Sequence, residues 1–379
     1  MSGRSVVAVV SCLGYDRTEV AEAVREGFSL LGEESVAKVL ESQPLLLKPN
    51  LLLPAPPEKG VTTHPAVFGA VARHLLGLGA RMSWGDSPNG VYRPEPTARR
   101  SGLLDEARAI GIPMEDFDVG TEAPFPGGVQ NRRFAVACAA LRAGAIVSLP
   151  RLKTHGSTVV TGALKNSFGL VTGNHKMQFH LRHPGLEDFS RMLVDLNAFL
   201  PSRLVVLDAI RVMEGNGPSA GTLVDMGLLV FSTDPVAADA VGCRILGIDP
   251  LSIPVIRLAE ERGLGTARDL ELRGVDLSRR PRRALKIPPR SPAVVPAGFA
   301  SIAKRVMTPK PVIDSARCIA CGKCVETCPT TPKAVTQARP KTVPRHDYGL
   351  CIRCYCCQEI CPEGAITLRP TILGRLLVR

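Results

Sequence analysis

Along the first 275 residues, short apolar runs alternate with longer stretches whose apolar positions recur every three or four residues. Residues 6–11, 44–52, 81–85, 145–149, 204–208 and 227–232 read as strands. Residues 19–31 put Val20, Val24, Phe28 and Leu31 at helical spacing. Residues 64–78, 96–110, 189–200 and 235–246 read as helices in the same way. Strands alternating with crossover helices predict an α/β fold: a mostly parallel sheet with flanking helices. In such sheets ligands gather beyond the carboxyl ends of the strands. That rule ranks the polar motifs that follow the apolar runs.

Those motifs are Lys48-Pro49-Asn50, Thr62-Thr63-His64-Pro65, Gly85-Asp86-Ser87-Pro88, Lys153-Thr154-His155, Lys165-Asn166, Asn216-Gly217-Pro218 and Thr233-Asp234-Pro235. Each has a plain structural reading. Asp234 before Pro235 fits a helix N-cap, His64-Pro65 opens a helix, and Asn216-Gly217 is a turn signal. The set weighs more than its members. Residues 153–183 hold Lys153, His155, Lys165, His175, Lys176, His180, Arg182 and His183, with no acid among them. Uncompensated positive charge beside glycines suits an anion such as a carboxylate or phosphate. Histidines there would move protons near neutral pH. The expected catalytic residues are His155, His180 and Lys165. The expected substrate-binding residues are Lys48, Asn50, His64, Asp86, Lys153, Asn166, Lys176 and Asn216. The alternatives are a solvated basic loop, or a metal on His175 and His180.

The last sixth of the chain breaks the pattern. Cys318, Cys321, Cys324 and Cys328-Pro329 are spaced C-x2-C-x2-C-x3-C-P, and Cys351, Cys354, Cys357 and Cys361-Pro362 repeat the spacing. A cubane iron–sulfur cluster needs four thiolates; a C-x2-C-x2-C loop supplies three, and in two-cluster modules the fourth comes from the other run. One [4Fe–4S] cluster is therefore assigned to Cys318, Cys321, Cys324 and Cys361, the second to Cys351, Cys354, Cys357 and Cys328. Zinc sites instead want two pairs across a longer loop. Cys356 reads as a spare, packed thiol.

Composition narrows the class. Hydrophobic residues make up 45% and aromatic ones 4%, with one Trp, which disfavours an aromatic nucleic-acid platform. Free thiols and oxygen-sensitive clusters suit a reducing cytoplasm. No apolar run approaches the roughly 20 residues that span a bilayer. The net charge is +12, and residues 278–310 hold nine basic side chains and no acidic one, among six prolines. Such a stretch predicts an extended, solvated linker. The expected domains are residues 1–277 (α/β), 278–311 (basic Pro-rich linker), 312–370 (two-cluster ferredoxin type, α+β) and 371–379 (tail). The positive balance points to an acidic electron donor or acceptor protein.

Residues 312–370 resemble the two-cluster ferredoxin module of bacteria and archaea. The motifs Lys48-Pro-Asn50, Thr62-Thr-His-Pro65, Gly85-Asp-Ser-Pro88, Lys153-Thr-His155, Leu164-Lys-Asn-Ser-Phe-Gly169, Gly215-Asn-Gly-Pro218 and Thr233-Asp-Pro235 resemble the family called domain of unknown function 362. That resemblance implies the architecture, often with a C-terminal two-cluster module, and leaves the reaction open. No Walker loop and no G-x-G-x-x-G appears. Two functions remain. One is an iron–sulfur oxidoreductase passing electrons to a small anionic substrate in the N-terminal domain. The other is an electron carrier whose large domain only docks a partner. A weaker third is an isomerase or lyase with structural or sensing clusters. A basic cavity joined to a cluster favours the first; an exposed cluster edge without a cavity favours the second.

Overall fold

A computed structural model describes residues 4–279, 285–288 and 308–371. The large domain runs β1 (Ser5–Ser11), α1 (Arg17–Leu31), α2 (Glu33–Glu41), β2 (Leu45–Pro49), α3 (Pro65–Gly77), β3 (Met82–Trp84), α4 (Pro94–Arg100) and α5 (Leu103–Ile110). A hairpin of β4 (Gly120–Pro124) and β5 (Arg133–Ala137) follows, then α6 (Cys138–Arg142), β6 (Ala145–Leu149), β7 (Arg151–His155), β8 (Val159–Thr161) and α7 (Ala163–Asn166). The remainder is α8 (His175–Arg182), α9 (Leu186–Phe199), β9 (Ser202–Glu214), β10 (Thr222–Ser232), α10 (Pro235–Ile245), α11 (Pro254–Glu261) and β11 (Leu270–Gly274).

The sheet is ordered β11-β1-β10-β9-β6-β2-β3, with β7 and β8 attached at β9. Along that path β10 alone runs against its neighbours. The architecture is α/β with a mostly parallel sheet. Both faces are buried: on β1, Val7 and Val9 join one core layer while Ala8 and Val10 join the other. Each fully buried Val or Leu contributes about 1.5–3 kcal/mol, so strands buried on both sides read as apolar runs.

The departures from expectation have local causes. Residues 96–110 form two helices, because Gly102 takes φ 75° between α4 and α5. Strand β9 extends to Glu214 because its second half pairs with β7, Arg151 against Asp208 and Lys153 against Met213. Strands β4 and β11 carry little apolar signal and most of their residues are exposed or half-buried, whereas residues 134–137 of β5 form a short buried apolar run outside the expected strands. Asp234 is an N-cap, accepting from the N–H groups of Val236 and Ala237, with Pro235 at the first helical position. Of the basic linker, residues 280–284 and 289–307 lie outside the described residues. The described piece, 285–288, is packed in part: Leu285 and Pro288 are buried and the N–H of Lys286 donates to Glu214 Oε2, while the side chains of Lys286 and Ile287 are exposed.

The small domain holds β12 (Lys310–Ile313), α12 (Lys323–Glu326), β13 (Val335–Thr336), β14 (Arg345–His346), α13 (Cys356–Glu359) and β15 (Ile366–Arg369), with β12 antiparallel to β15. It sits on the large domain beyond the carboxyl end of β7. Gln358 donates to Asn216 Oδ1 at 3.0 Å and to the carbonyl of Gly217 at 3.1 Å; Asn216 Nδ2 donates to the carbonyl of Ile366 at 3.0 Å. Tyr92 donates to the carbonyl of Ile360. Gly156 allows the close approach, because a Cβ there would meet Leu368 and Gln358.

Candidate functional site

The carboxyl ends of β2, β3 and β7 deliver charged side chains to one place. Lys48, at the end of β2, is buried with Asp86, which follows β3; Nζ and Oδ1 are 2.7 Å apart. Lys48 also donates to Asn166 Oδ1, and Asn166 Nδ2 returns bonds to the carbonyl of Lys48 and to Ser148 Oγ. The other oxygen of Asp86 accepts from the N–H of Leu51. Gly169 packs against this pair; a Cβ there would collide with Asp86 and crowd Lys48. Burial pulls Lys48 below the usual lysine range, and Asp86 opposes that.

Lys153 donates to Asn50 Oδ1 at 2.7 Å and to the carbonyl of Val61 at 2.6 Å. Burial, Arg151 and Lys165 push its pKa well down. Lys176 donates to the carbonyls of Ser87 and Pro88, and burial brings it to about 7. Lys165, on α7, has no hydrogen-bond partner among the described residues. Burial lowers its pKa against the pull of Glu359. Asp239 positions α7 by accepting from the N–H groups of Ala163 and Leu164. Lys48, Lys153, Lys165 and Lys176 line an open cavity, about 570 Å³ with the solvent at its mouth included, with Asn50, Asp86, Asn166, His180 and Glu359 in its wall.

Glu359 comes from the small domain. It lies on α13, between Cys357 and Cys361, and is 3% exposed. Its Oε1 stands 3.2 Å from His155 Nε2, off the line of a good hydrogen bond, so the contact is electrostatic. His155 Nδ1 faces the N–H groups of Ser157 and Thr158, which assigns its proton to Nε2, toward the carboxylate. Burial opposes ionisation of Glu359, but His155, Lys165 and His180 hold its pKa below the usual carboxylate range. Burial brings His155 and His180 to about 4. His180 stacks on Phe189 at 4.5 Å and meets Phe168 edge-on.

The eight motif cysteines line two further cavities. Cys318, Cys321, Cys324 and Cys361 surround one of about 360 Å³. Cys328, Cys351, Cys354 and Cys357 surround another of about 310 Å³. The loops that carry them share one backbone: φ is positive at Ala320 and Gly322 in the first, and at Arg353 and Tyr355 in the second. The N–H of Ala320 points at Cys318 Sγ at 3.4 Å, and that of Ala365 at Cys361 Sγ at 3.3 Å. Amides turned inward in this way suit thiolate-held sulfur.

Residues 45–244, more than half of the chain, match the family described as Domain of unknown function (DUF362). The chain belongs to the DUF362 family. Residues 310–362 match a 4Fe-4S dicluster domain, which supports iron–sulfur cluster binding beside the DUF362 domain. A thylakoid-associated protein from Synechocystis sp. strain PCC 6803 is 35% identical over 228 residues, 60% of this chain and 70% of that protein. Among solved structures, a Thermotoga maritima protein and the lactate racemase apoprotein of Thermoanaerobacterium thermosaccharolyticum each align with 65% of this chain at 12% identity and TM-score 0.35. The chain spans 59% and 57% of their lengths.

Of the DUF362 residues expected to form the site, Lys48, Asn50, Asp86, Lys153, Lys165, Asn166, Lys176 and His180 meet around the cavity. His155 stands behind Glu359. His64 does not join them: it stacks on Tyr15 at 3.7 Å and caps α3 through Nδ1 to the N–H of Ala66. Asn216 belongs to the contact with the small domain. Glu359 was not anticipated. Its only sequence signal is an acid two residues before the last cysteine of the second run, and Glu326 has the same place in the first. Among the described residues no helix is long and apolar enough to cross a membrane.

Proposed function

We propose that this protein is an iron–sulfur reductase. Two [4Fe–4S] clusters, held by Cys318, Cys321, Cys324 and Cys361 and by Cys351, Cys354, Cys357 and Cys328, would relay electrons to a small anionic substrate in the basic cavity. The clusters supply single-electron transfer; the side chains described here bind, orient and protonate. The observation that carries this reading is the burial of Glu359, a cluster-domain residue, in the wall of the lysine cavity. Cavity and cysteine module thus form one connected site, which a plain carrier does not require. Four thiols spread around a cavity also suit a polynuclear cluster better than one ion; among the described residues no three His, Cys, Asp or Glu side chains converge on a point.

Roles follow from the bonding. Lys48, Lys153 and Lys176 are committed to internal acceptors, so they fix the shape and field of the cavity. Lys165 keeps its donors for the anion. His155 and His180 are neutral at pH 7, so neither serves as the resting acid; each offers an N–H or a lone pair. Lys176, near 7, is the group suited to give up a proton in the cavity.

Protein purified without oxygen is expected to carry about eight irons per chain. Small anions that co-purify are then offered to the dithionite-reduced protein. Lys165→Ala is expected to abolish substrate reduction at unchanged iron content and visible spectrum. Full turnover in that variant would remove the cavity from the mechanism.

A further inference from the structure

The two cysteine loops share a backbone but not an environment. In each, an isoleucine follows the first cysteine. Ile319 is 61% exposed, while Ile352 is half-buried. Cys321 is exposed, whereas Cys354 is half-buried. Tyr348 lies beside the second loop, flanked by Lys310 at 5.1 Å and Arg353 at 5.0 Å. The first loop meets Tyr92 of the large domain through Lys323, 5.5 Å over the ring, yet Ile319 and Cys321 stay exposed. Gln337 Nε2 donates to the carbonyls of Ala320 and Thr342, which draws the turn at 339–343 to the rim of the first cysteine cavity.

That turn brings chemistry with it. Val343 is 38% exposed, and Pro344 lines the cavity of Cys318, Cys321, Cys324 and Cys361. Arg339 and Lys341 are exposed on the turn. Arg317 is exposed on the other flank, its guanidinium donating to the carbonyl of Glu363. The exposed acids in and around the first run are Asp314, Glu326 and Glu363, with Glu326 paired to Lys323. Residues 312–370 carry eight Lys and Arg against five Asp and Glu.

We propose that Ile319 and Val343, ringed by Arg317, Arg339 and Lys341, form the docking surface for an acidic one-electron carrier protein of the ferredoxin type. Charge complementarity argues for this occupant: a small apolar centre within a cationic rim suits a brief, electrostatically steered encounter. One electron leaves the reduced carrier and is taken up behind Cys321; no bond is made or broken and no proton moves. The proposal rests on the electron-relay reading above, and it fixes the direction: electrons come in at the solvent-facing loop and go out at the loop that bears Glu359.

The test uses the full chain, prepared without oxygen, with a purified acidic [2Fe–2S] ferredoxin as probe. Binding is measured by calorimetry and reduction by stopped flow. The wild-type rate constant is expected to fall about tenfold between about 20 and about 300 mM salt. Arg339→Glu with Lys341→Glu is expected to weaken binding and slow reduction by about tenfold or more. Val343→Ser is expected to weaken binding while leaving the salt dependence intact. Lys38→Glu on α2, at the opposite end of the sheet, is expected to change neither. Reduction by dithionite is expected to be the same in all variants. If both the double variant and Val343→Ser match wild type in affinity and rate while dithionite reduces them fully, the docking surface is wrong and the relay stands. If dithionite reduces no centre in the wild type, the relay and the docking surface fall together.

Discussion

Glu326 and Glu359 occupy the same place in the two halves of the cysteine repeat, each two residues before the last cysteine of its run. Their surroundings are opposite. Glu326 is exposed and pairs at 2.9 Å with Lys323, which is half-buried on the ring of Tyr92. Glu359 is buried beside His155, with the Lys165 ammonium favouring its charge. An internal repeat therefore supplies the ligand geometry twice and uses the remaining positions differently. One half faces solvent through Ile319 and Cys321; the other is inserted in the basic cavity. The large domain touches both, meeting the first half through Asn89 and Tyr92, but its lysine cavity takes a side chain from the second half alone.

The largest expected effect separates the two halves by their thiols. The cavities pair each three-cysteine loop with the last cysteine of the other run. Cys361→Ala is expected to remove the solvent-facing cluster and Cys328→Ala the cavity-facing one, each lowering iron from about eight to about four per chain. Paramagnetic resonance of the reduced variants with a water-soluble relaxing agent checks the assignment. The centre that survives in Cys328→Ala is expected to be the more strongly relaxed. Equal relaxation in both variants would erase the asymmetry.

A smaller effect sets one glutamate against the other. Removing one partner of a buried, charged set costs about 3–5 kcal/mol, because the remaining charge is left uncompensated. Glu359→Ala leaves the Lys165 ammonium without the carboxylate that opposes its desolvation, and loss of stability near that range is expected by denaturant unfolding under anaerobic conditions. Glu326→Ala removes an exposed carboxylate from its pair and is expected to change stability by less than about 1 kcal/mol. Equal losses in the two variants would show that burial does not distinguish the halves.

The repeat itself was legible, since thiol spacing is a local property, and so were the six main strands, because burial on both faces leaves unbroken apolar runs. The lysines of the cavity were legible as a group, since 31 residues with eight basic or histidine side chains and no acid need an explanation. The balancing acid was not legible. Glu359 lies more than 170 residues beyond that stretch in sequence, and its burial depends on docking between domains. His64 failed for a related reason. A histidine before proline at a helix start looks the same whether it caps the helix, as the Nδ1 bond to Ala66 has it do, or binds a ligand. The protonation of the histidines also escaped sequence reading: Phe189 and Phe168 around His180 determine its desolvation, and neither follows from spacing.

The smallest effect lies within the cavity. Burial lowers Lys176 to about 7; Asp86 pulls it up, while Lys48 and Lys165 push it further down. In the unfolded chain a lysine titrates near 10.4. Between these values the unfolded chain binds more protons than the folded one, so stability rises as pH climbs from about 7 toward about 10. Anion binding moves the other way, because the same deprotonation removes a positive charge from the wall. Affinity for a small carboxylate is therefore expected to drop severalfold as pH passes through about 7, read by calorimetry at constant ionic strength. Lys176→Gln is expected to flatten that step and to leave cluster content untouched. The histidines cannot account for such a step, since both are already neutral well below this pH. A step that persists unchanged in Lys176→Gln would move the titrating group elsewhere, with Lys165 the next lysine to test, since its ammonium faces Glu359 on the side where the cysteine module closes the cavity.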